Sequence, residues 1–186
     1  MKNLVKVAVV AAGMFLAGAK AEAQQKLGHI NSADLLQSMP EMKAADATFQ
    51  TFQKQKQSVL EQMDAERQKK ITTYQEKYKT ISEANKETVG KELTTLQTEI
   101  QDLEKRLGDA QQKAQEELKT KQAELYQPVF KKAEDAVKAV SKEKGYAYVF
   151  DVSQPGVVYF DGGDDIINSV KAKLGISTTA STAPKK

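Results

Sequence analysis

The stretch that decides the fold runs from residue 93 to residue 114 and reads LTTLQTEIQDLEKRLGDAQQKA. Its apolar and small residues recur at alternating spacings of three and four, which is the pattern of a coiled-coil seam. They are Leu93, Leu96, Ile100, Leu103, Leu107, Ala110 and Ala114. Most of the other positions carry polar or charged residues, which keep the remaining faces in water. The stretch therefore predicts a long helix with a partner helix along one side.

A longer proline-free segment surrounds this stretch. Residues 41–127, between Pro40 and Pro128, are rich in glutamine, lysine, glutamate, alanine and leucine, which favour helices. A single helix over this segment would extend ~130 Å, at ~1.5 Å per residue. We predict instead a hairpin of two antiparallel helices, in which each arm covers the apolar stripe of the other. An uninterrupted helix in a parallel coiled coil is the alternative.

The apolar stripe of the first arm sets the expected pairing. It changes phase between Met63 and Ile71, as an insertion of four residues in a heptad pattern would make it. Matching the two stripes pairs Ile81 with Leu93, Tyr78 with Leu96, Tyr74 with Ile100 and Ile71 with Leu103. This register predicts a turn at residues 82–90, where Gly90 weakens the helix.

Residues 1–23 have the features of a secretory signal peptide. Two lysines precede a run of apolar or small residues at positions 7–19, and AEA at residues 21–23 supplies the small residues of a cleavage site. The apolar run is shorter than the ~20 residues that span a bilayer. We predict cleavage near Ala23, with an uncleaved anchor as the alternative. The exported chain then has a net charge of +1 in place of the +3 of the full chain.

Short elements on either side of the arm form a predicted body. They are a strand at residues 27–31, a helix capped by Ser32, a helix from Pro128 to Gly145, a hairpin of residues 146–152 with 157–160, and a last helix from Asp164 to Gly175. We therefore predict an α+β fold that is mostly α. Its parts are the body at residues 24–40 and 128–176, the arm at residues 41–127, and a disordered tail at residues 177–186.

The body is too small to bury its own aromatic side chains. Residues 26–41 and 126–176 total 67 residues and hold seven of the eleven aromatic residues that follow the signal peptide. A unit of this size gains little from its own core. We therefore predict an oligomer, with its interface at Leu27, His29, Ile30, Tyr148, Val149, Phe150, Val158 and Phe160.

The composition argues against most enzyme and metal chemistry. The chain has no cysteine, which excludes thiol nucleophiles, disulfides and thiolate metal sites. It has one histidine, His29. The stretch DGGDD at residues 161–165 resembles part of a calcium loop but lacks its spacing and closing glutamate. The 28 basic and 25 acidic residues are nearly balanced, which argues against binding of nucleic acid through bulk basicity. We predict a protein that is not an enzyme and that uses no cofactor or metal.

The order of these elements resembles the Skp/OmpH family of periplasmic chaperones. The resemblance is carried by KLGHIN at residues 26–31, the long helical hairpin, and GYAYVFD at residues 145–151. It implies a homotrimer whose strands join in a small central barrel, with three arms around a cavity that holds unfolded outer-membrane proteins. It also implies a periplasmic location, with weak contact to the outer-membrane assembly machinery or lipid. The mixed charges of the predicted tip, such as Lys86 and Glu87, argue against the lipopolysaccharide site credited to some members.

We therefore expect an ATP-independent holdase, a chaperone that prevents aggregation by binding unfolded chains. The side chains expected to contact its clients are Phe49, Phe52, Met63, Tyr74 and Tyr78, although helical spacing alone would also place them in the seam. The alternative is a structural coiled-coil spacer or adaptor of the cell envelope. Lys56 and Arg67 lie at seam-like positions and interrupt the first stripe, which favours the chaperone.

Overall fold

The computed structural model describes residues 25–177. In chain order the elements are β1 (Leu27–Ile30), α1 (Ser32–Ser38), α2 (Pro40–Lys79), α3 (Lys86–Lys144), β2 (Tyr148–Asp151), β3 (Asp164–Asp165) and α4 (Ile167–Lys173). The predicted signal peptide lies outside the described residues, as does the predicted tail beyond Ser177. Between residues 25 and 177, no helix combines the length and the apolar character that crossing a membrane requires.

The arm is a hairpin of the two long helices α2 and α3, as predicted. Pro40 opens α2, where its missing N–H group needs no partner. The α3 side of the seam buries Leu93, Leu103 and Ala114, which belong to the stripe that repeats every three or four residues. The mostly helical α+β fold with a long arm and a small sheet is therefore confirmed.

The turn at the tip of the arm comes earlier than predicted. The first arm ends at Lys79 and α3 begins at Lys86, so Gly90 lies inside a helix and not in the turn. The side chain of Asn85 accepts a hydrogen bond from the backbone N–H of Ser82 at 2.7 Å and donates one to the carbonyl of Thr80 at 2.9 Å. A single asparagine amide thus closes the turn, a role for which asparagine is well suited.

The register between α2 and α3 also differs from the prediction near the tip of the arm. Lys70 pairs with Glu99 and Lys77 with Glu92, five residues nearer the tip than the partners that the apolar stripes predict. Close to the body, Lys56 pairs with Glu117, within one residue of the prediction. The predicted pairing therefore fits the base of the arm and fails at its tip, because the early turn brings α3 back sooner.

The helix that was predicted to begin at Pro128 is instead a continuation of α3. This helix runs without interruption from Lys86 to Lys144, with Pro128 in its interior. A proline costs a helix interior ~3 kcal/mol or more. Burial of one continuous face, which includes Val129, Ala133, Ala136 and Val140, offsets this cost. The helix ends as predicted at Gly145, whose φ of 70° lies in the left-handed region that favours glycine.

The sheet has the strand order β2-β1-β3 with all strands parallel, so the predicted β-hairpin is wrong. Residues 157–160 form no strand. Strand β2 instead pairs with β1, from Leu27 opposite Tyr148 to Ile30 opposite Asp151. Asp164 and Asp165 were expected to begin the last helix, but they form β3 on the other side of β1. Strands β2 and β3 thus each pair with the amino-terminal strand β1, and β2 does not pair with the segment that follows it in the sequence.

The body has a core made by all of its helices. Its most buried side chains are Leu35, Met39, Ile166 and Val170, which are each less than 2% exposed. The first helix is capped by Asn31, whose side chain accepts a hydrogen bond from the N–H of Asp34 at 3.1 Å, and not by Ser32 as predicted. Ser32 instead donates its hydroxyl hydrogen to the carboxylate of Asp151 at the end of β2.

The carboxylate of Asp151 ties α1 to the sheet. It accepts hydrogen bonds from the hydroxyl and backbone N–H of both Ser32 and Ser153, at distances between 2.5 and 3.2 Å. Partial burial acts to raise the pKa of Asp151, but these hydrogen bonds outweigh it and lower the pKa to about 2. The carboxylate of Asp151 is therefore ionised in the folded protein at neutral pH.

Candidate functional site

The base of the arm carries a cluster of aromatic rings, which we call the basal aromatic cluster (Phe49, Tyr126 and Phe130). The ring of Tyr126 lies edge-on to Phe49 at 5.9 Å and stacks on Phe130 at 6.2 Å, measured between centroids. Its hydroxyl donates a hydrogen bond to Asp46 at 2.7 Å, and this bond raises the pKa of Tyr126. Beside the cluster is an open groove of about 430 Å³, to which Met42 contributes. Phe130 is about half exposed, so the cluster offers an apolar surface to a binding partner.

A second apolar surface lies near the tip, which we call the distal apolar patch (Tyr74, Tyr78 and Ile81). The rings of Tyr74 and Tyr78 stack with their centroids 6.4 Å apart. Tyr78 is 60% exposed and Ile81 40% exposed. Both side chains were expected to lie in the seam, and the shifted register explains why they do not.

The five residues that were predicted to contact clients are spread along α2. Phe49 belongs to the basal aromatic cluster, and Tyr74 and Tyr78 belong to the distal apolar patch. Phe52 is half-buried, with the ammonium group of Lys56 4.9 Å from the centre of its ring. Met63 lies half-buried between the two surfaces. The structure thus places these residues at several points along the arm and not in one pocket.

The sequence prediction missed two members of the aromatic surface, Tyr126 and Phe130. They lie on α3, four residues apart and therefore on one face of the helix. This spacing was visible in the sequence, but the prediction ended the arm at residue 127 and assigned Phe130 to the body. The continuous helix across Pro128 is what brings the two rings together.

Beyond the base of the arm, helices α2 and α3 are joined by four ion pairs, which we call the inter-arm ion pairs. They are Lys56–Glu117, Arg67–Glu104, Lys70–Glu99 and Lys77–Glu92. The basic residue lies on α2 and the glutamate on α3 in each of these four pairs, whereas at the base of the arm Lys132 of α3 pairs with Glu41 of α2. The hydrogen bond from Lys56 lowers the pKa of Glu117, and the bond to Glu99 raises the pKa of Lys70. Lys56 and Arg67, which interrupt the apolar stripe of the first arm, therefore have partners across the seam.

The sheet and the segment that follows β2 expose a group of apolar side chains, which we call the apolar face of the body. Its members are Leu27, Tyr148, Phe150, Val158, Tyr159 and Phe160, of which Val158 is 95% exposed. The rings of Tyr148 and Phe150 stack at 6.3 Å on β2, an edge strand of the sheet. Five of the eight predicted interface residues belong to this face, and the prediction did not include Tyr159.

The other three predicted interface residues are less exposed. Ile30 is buried in the core of its own chain, and Val149 packs against that core. The ring of His29 is half-buried and lies 4.8 Å from the ring of Phe160. Within residues 25–177, the buried Nδ1 atom of His29 has no hydrogen-bond partner.

The acidic residues before α4 form hydrogen bonds and an ion pair with other residues of the body. Asp164 accepts a hydrogen bond from the hydroxyl of Tyr146 at 2.7 Å and forms an ion pair with Lys26 at 3.3 Å. These contacts lower the pKa of Asp164. Asp165 accepts a hydrogen bond from the backbone N–H of Ile167 at 2.9 Å. Across the described part of the chain, no group of three or more histidine, aspartate or glutamate side chains is arranged to hold a metal ion.

Comparison with known proteins places this architecture in a family. The family model described as outer membrane protein (OmpH-like) matches residues 26–174. The chaperone protein Skp of Vibrio cholerae is 30% identical over 177 residues, which cover 92% of this chain and 100% of the relative. Skp of Photorhabdus luminescens is 26% identical over 152 residues, which cover 82% of this chain and 87% of the relative.

A solved structure shares the fold. An OmpH-like protein of Caulobacter crescentus, described as an outer membrane chaperone, superposes with a TM-score of 0.65 at 16% sequence identity. The match covers 88% of this chain and 92% of the other. A long antiparallel arm on a small mixed body is thus the architecture of a Skp-type chaperone. The chain belongs to the OmpH-like family, which confirms the resemblance found in the sequence and the expected function as a chaperone of outer-membrane proteins.

Proposed function

We propose that the protein is a holdase that binds unfolded outer-membrane proteins in the periplasm without using ATP, and that it is not an enzyme. The observation that carries this proposal is the distal apolar patch, where Tyr78 and Ile81 are exposed on an arm whose surface is otherwise mostly polar. Isolated coiled-coil seams bury such residues. Their exposure here supports contact with the apolar side chains of a client.

The arrangement of the two apolar surfaces supports binding through many weak contacts. The basal aromatic cluster and the distal apolar patch lie at opposite ends of α2, which is ~60 Å long at ~1.5 Å per residue. A client held at both places is bound more tightly than at either alone, because the second contact forms at a high effective concentration. Such a client is released when its own folding into a membrane removes the apolar surface that the arm contacts.

We further propose that three copies assemble through the apolar face of the body. An exposed apolar group of this kind marks an interaction site in a soluble protein. Strand β2 is also an edge strand, and its unpaired backbone groups are suited to pairing with another chain. Three arms that extend from such a body would enclose a cavity for the client. His29, beneath Phe160, would lie at the margin of this interface.

The test is suppression of aggregation by the full chain. A denatured outer-membrane β-barrel protein is diluted into buffer without nucleotide, and light scattering is recorded. We expect suppression at about one trimer per client. The double variant Tyr78→Ser and Ile81→Ser should require several-fold more protein, whereas Lys79→Ser, an exposed polar position on the same turn, should act like the parent. If the parent fails even at several-fold excess, the holdase proposal is wrong.

The alternative function, a structural spacer of the cell envelope, is favoured by one observation. Lys56 and Arg67 have partners on the other arm, so the interruptions of the stripe leave the seam better satisfied than the sequence suggested. A spacer needs such a seam and needs no affinity for unfolded chains. The same scattering experiment separates the two functions, because a spacer would leave aggregation of the client unchanged.

A further inference from the structure

The distal half of the arm has two ways to align α2 with α3. In the structure, Lys70 pairs with Glu99 and Lys77 with Glu92. In the register that matches the apolar stripes, these lysines would lie opposite Glu104 and Gln97, five residues further along α3. Lys77 therefore has a carboxylate partner only in the observed alignment, whereas Lys70 would face a glutamate in both. The heptad pattern fits the second alignment.

The two alignments treat the apolar side chains of the tip differently. In the observed alignment Tyr78 and Ile81 are exposed, while Leu93 is buried. In the second alignment Tyr78 would face Leu96 and Ile81 would face Leu93, so both would join the seam. Burial of apolar surface favours this second alignment. The inter-arm ion pairs favour the first, although pairs as exposed as these contribute little to stability.

The turn is able to move with the register. Asn85 closes the observed turn through its side-chain amide. A slide would extend α2 past Thr80 and unwind the start of α3 as far as Gly90. A glycine inside a helix is unfavourable, and a Cβ atom at Gly90 would meet nothing within 4 Å. The observed packing therefore does not require this glycine, whereas a turn that ends there would use it.

The ion pairs also show where a slide would be absorbed. Lys70 follows Lys56 by 14 residues on α2, whereas their partners Glu99 and Glu117 are 18 residues apart on α3. A uniform antiparallel register would give equal spacings on the two helices. The mismatch lies in the part of α2 where the apolar stripe changes phase, before Ile71. The proximal register could thus stay fixed while the distal register changes.

We propose that the distal arm exchanges between these two registers, so that Tyr78 and Ile81 are exposed in an open register and buried in a closed one. The structure shows the open register. The consequence for clients rests on the proposed function: the open register presents the distal apolar patch to an unfolded chain, and the closed register withdraws it. The exchange itself depends only on the balance between ion pairs and apolar burial.

Cysteine crosslinking tests the exchange without any client, since the full chain contains no cysteine. The pair Lys77→Cys with Glu92→Cys reports the open register, and Tyr78→Cys with Leu96→Cys reports the closed one. The substitutions in each pair remove a contact that stabilises the register being reported. The crosslink yield therefore underestimates the population of that register in the parent chain. Tyr78→Cys with Gly108→Cys fits neither register and serves as the control. A short bifunctional maleimide is added, and crosslinked chains are quantified by mass spectrometry.

We expect crosslinks from both reporter pairs and none from the control. Salt screens the ion pairs, so the yield of the closed pair relative to the open pair should rise at least about twofold between low and high ionic strength. Lys77→Gln, placed in the closed-pair reporter, removes a charge that has a glutamate partner only in the open register, so it should raise the yield in the same direction. Lys79→Gln removes the same charge from an exposed position on the other side of residue 78 and should have no effect.

Two results would overturn the exchange. One is crosslinking of a single reporter pair at every ionic strength, and the other is a yield ratio that salt and Lys77→Gln leave unchanged. If circular dichroism shows that the closed reporter has lost helix, Ile81→Cys with Leu93→Cys reports the same register. A chain locked by the closed crosslink should hold several-fold less client than the same chain before crosslinking. Equal holding would refute the regulatory consequence, whereas absence of holding by the parent chain would refute the proposed function instead.

Discussion

The arm and the body of this protein are held together in different ways. In the body, side chains such as Leu35 and Val170 are almost completely buried and come from helices far apart in sequence. In the arm, burial is limited to one narrow seam that includes Leu93 and Leu103, and partly exposed ion pairs fill the intervals. Apolar burial contributes more than exposed ion pairs to stability. We therefore expect a stable body and an arm that changes shape easily.

This difference matches the work that each part is proposed to do. In the proposed assembly, three copies must remain joined while clients of many shapes enter and leave, so the assembly surface needs a rigid support. The apolar face of the body lies on the sheet and the segment after it, next to the core. An arm that must adapt to an unfolded chain gains from a seam whose two sides can shift. Stability and adaptability are thus assigned to separate segments of the chain.

The largest expected effect is the loss of assembly when a charge is placed on the apolar face of the body. Phe150→Asp would bury a carboxylate without a partner in the proposed interface, which costs several kcal/mol. Light scattering should show the mass of the parent at about three times the chain mass and that of the variant at the chain mass. Phe52→Asp, the same change on the arm, should leave the mass unchanged. A parent that is monomeric at all concentrations would contradict the assembly proposal.

A smaller effect separates the stabilities of the two parts. Leu35→Ala removes a fully buried side chain of the body and should lower the free energy of unfolding by ~2–5 kcal/mol. Leu96→Ala removes a half-buried leucine of the arm and should cost less than about half as much. Urea denaturation followed by circular dichroism measures both. Equal losses would show that arm and body unfold as one cooperative unit with no difference in stability between them.

The smallest expected effect concerns acid stability of the body. The pKa of Asp151 is about 2 in the folded chain, below its ordinary value of ~3.9 in an unfolded chain. A lowered pKa stabilises the fold above pH ~4, and this contribution of ~1–2 kcal/mol is lost as the pH falls toward 2. Asp151→Asn should reduce stability at pH 7 and flatten the dependence between pH 4 and 2. Urea denaturation at several pH values gives the free energy of unfolding of parent and variant. If the two plots of this free energy against pH stay parallel between pH 4 and 2, the assigned role of Asp151 is wrong.

Several features of the arm followed directly from the sequence because they depend on local interactions. The three-four spacing from Leu93 to Ala114 was enough to predict a helix and the side that its partner covers. The boundary of the arm beside Pro40 and the helix end at Gly145 were also correct. Each of these depends on backbone preferences or on a period that is visible within a few turns.

The aromatic surfaces could be predicted only in part. The sequence named Phe49, Tyr74 and Tyr78, but it could not show which rings would be exposed. Exposure depends on the register between the arms, and the apolar stripes and the ion pairs favour different registers. Tyr126 and Phe130 of the basal aromatic cluster were missed because Pro128 was taken as a helix start.

What the sequence by itself determined is therefore the long antiparallel arm, the small mixed body and, through their order along the chain, the family. The tertiary structure alone decided three further points: that α3 continues through Pro128, that β1 lies between β2 and β3, and that the arm turns at Asn85. Each of these depends on contacts between segments that are distant in sequence, or on competition between two local solutions of similar energy. Local patterns specify a helix or a strand, but only the sum of non-local burial and hydrogen bonding selects its partner and its register.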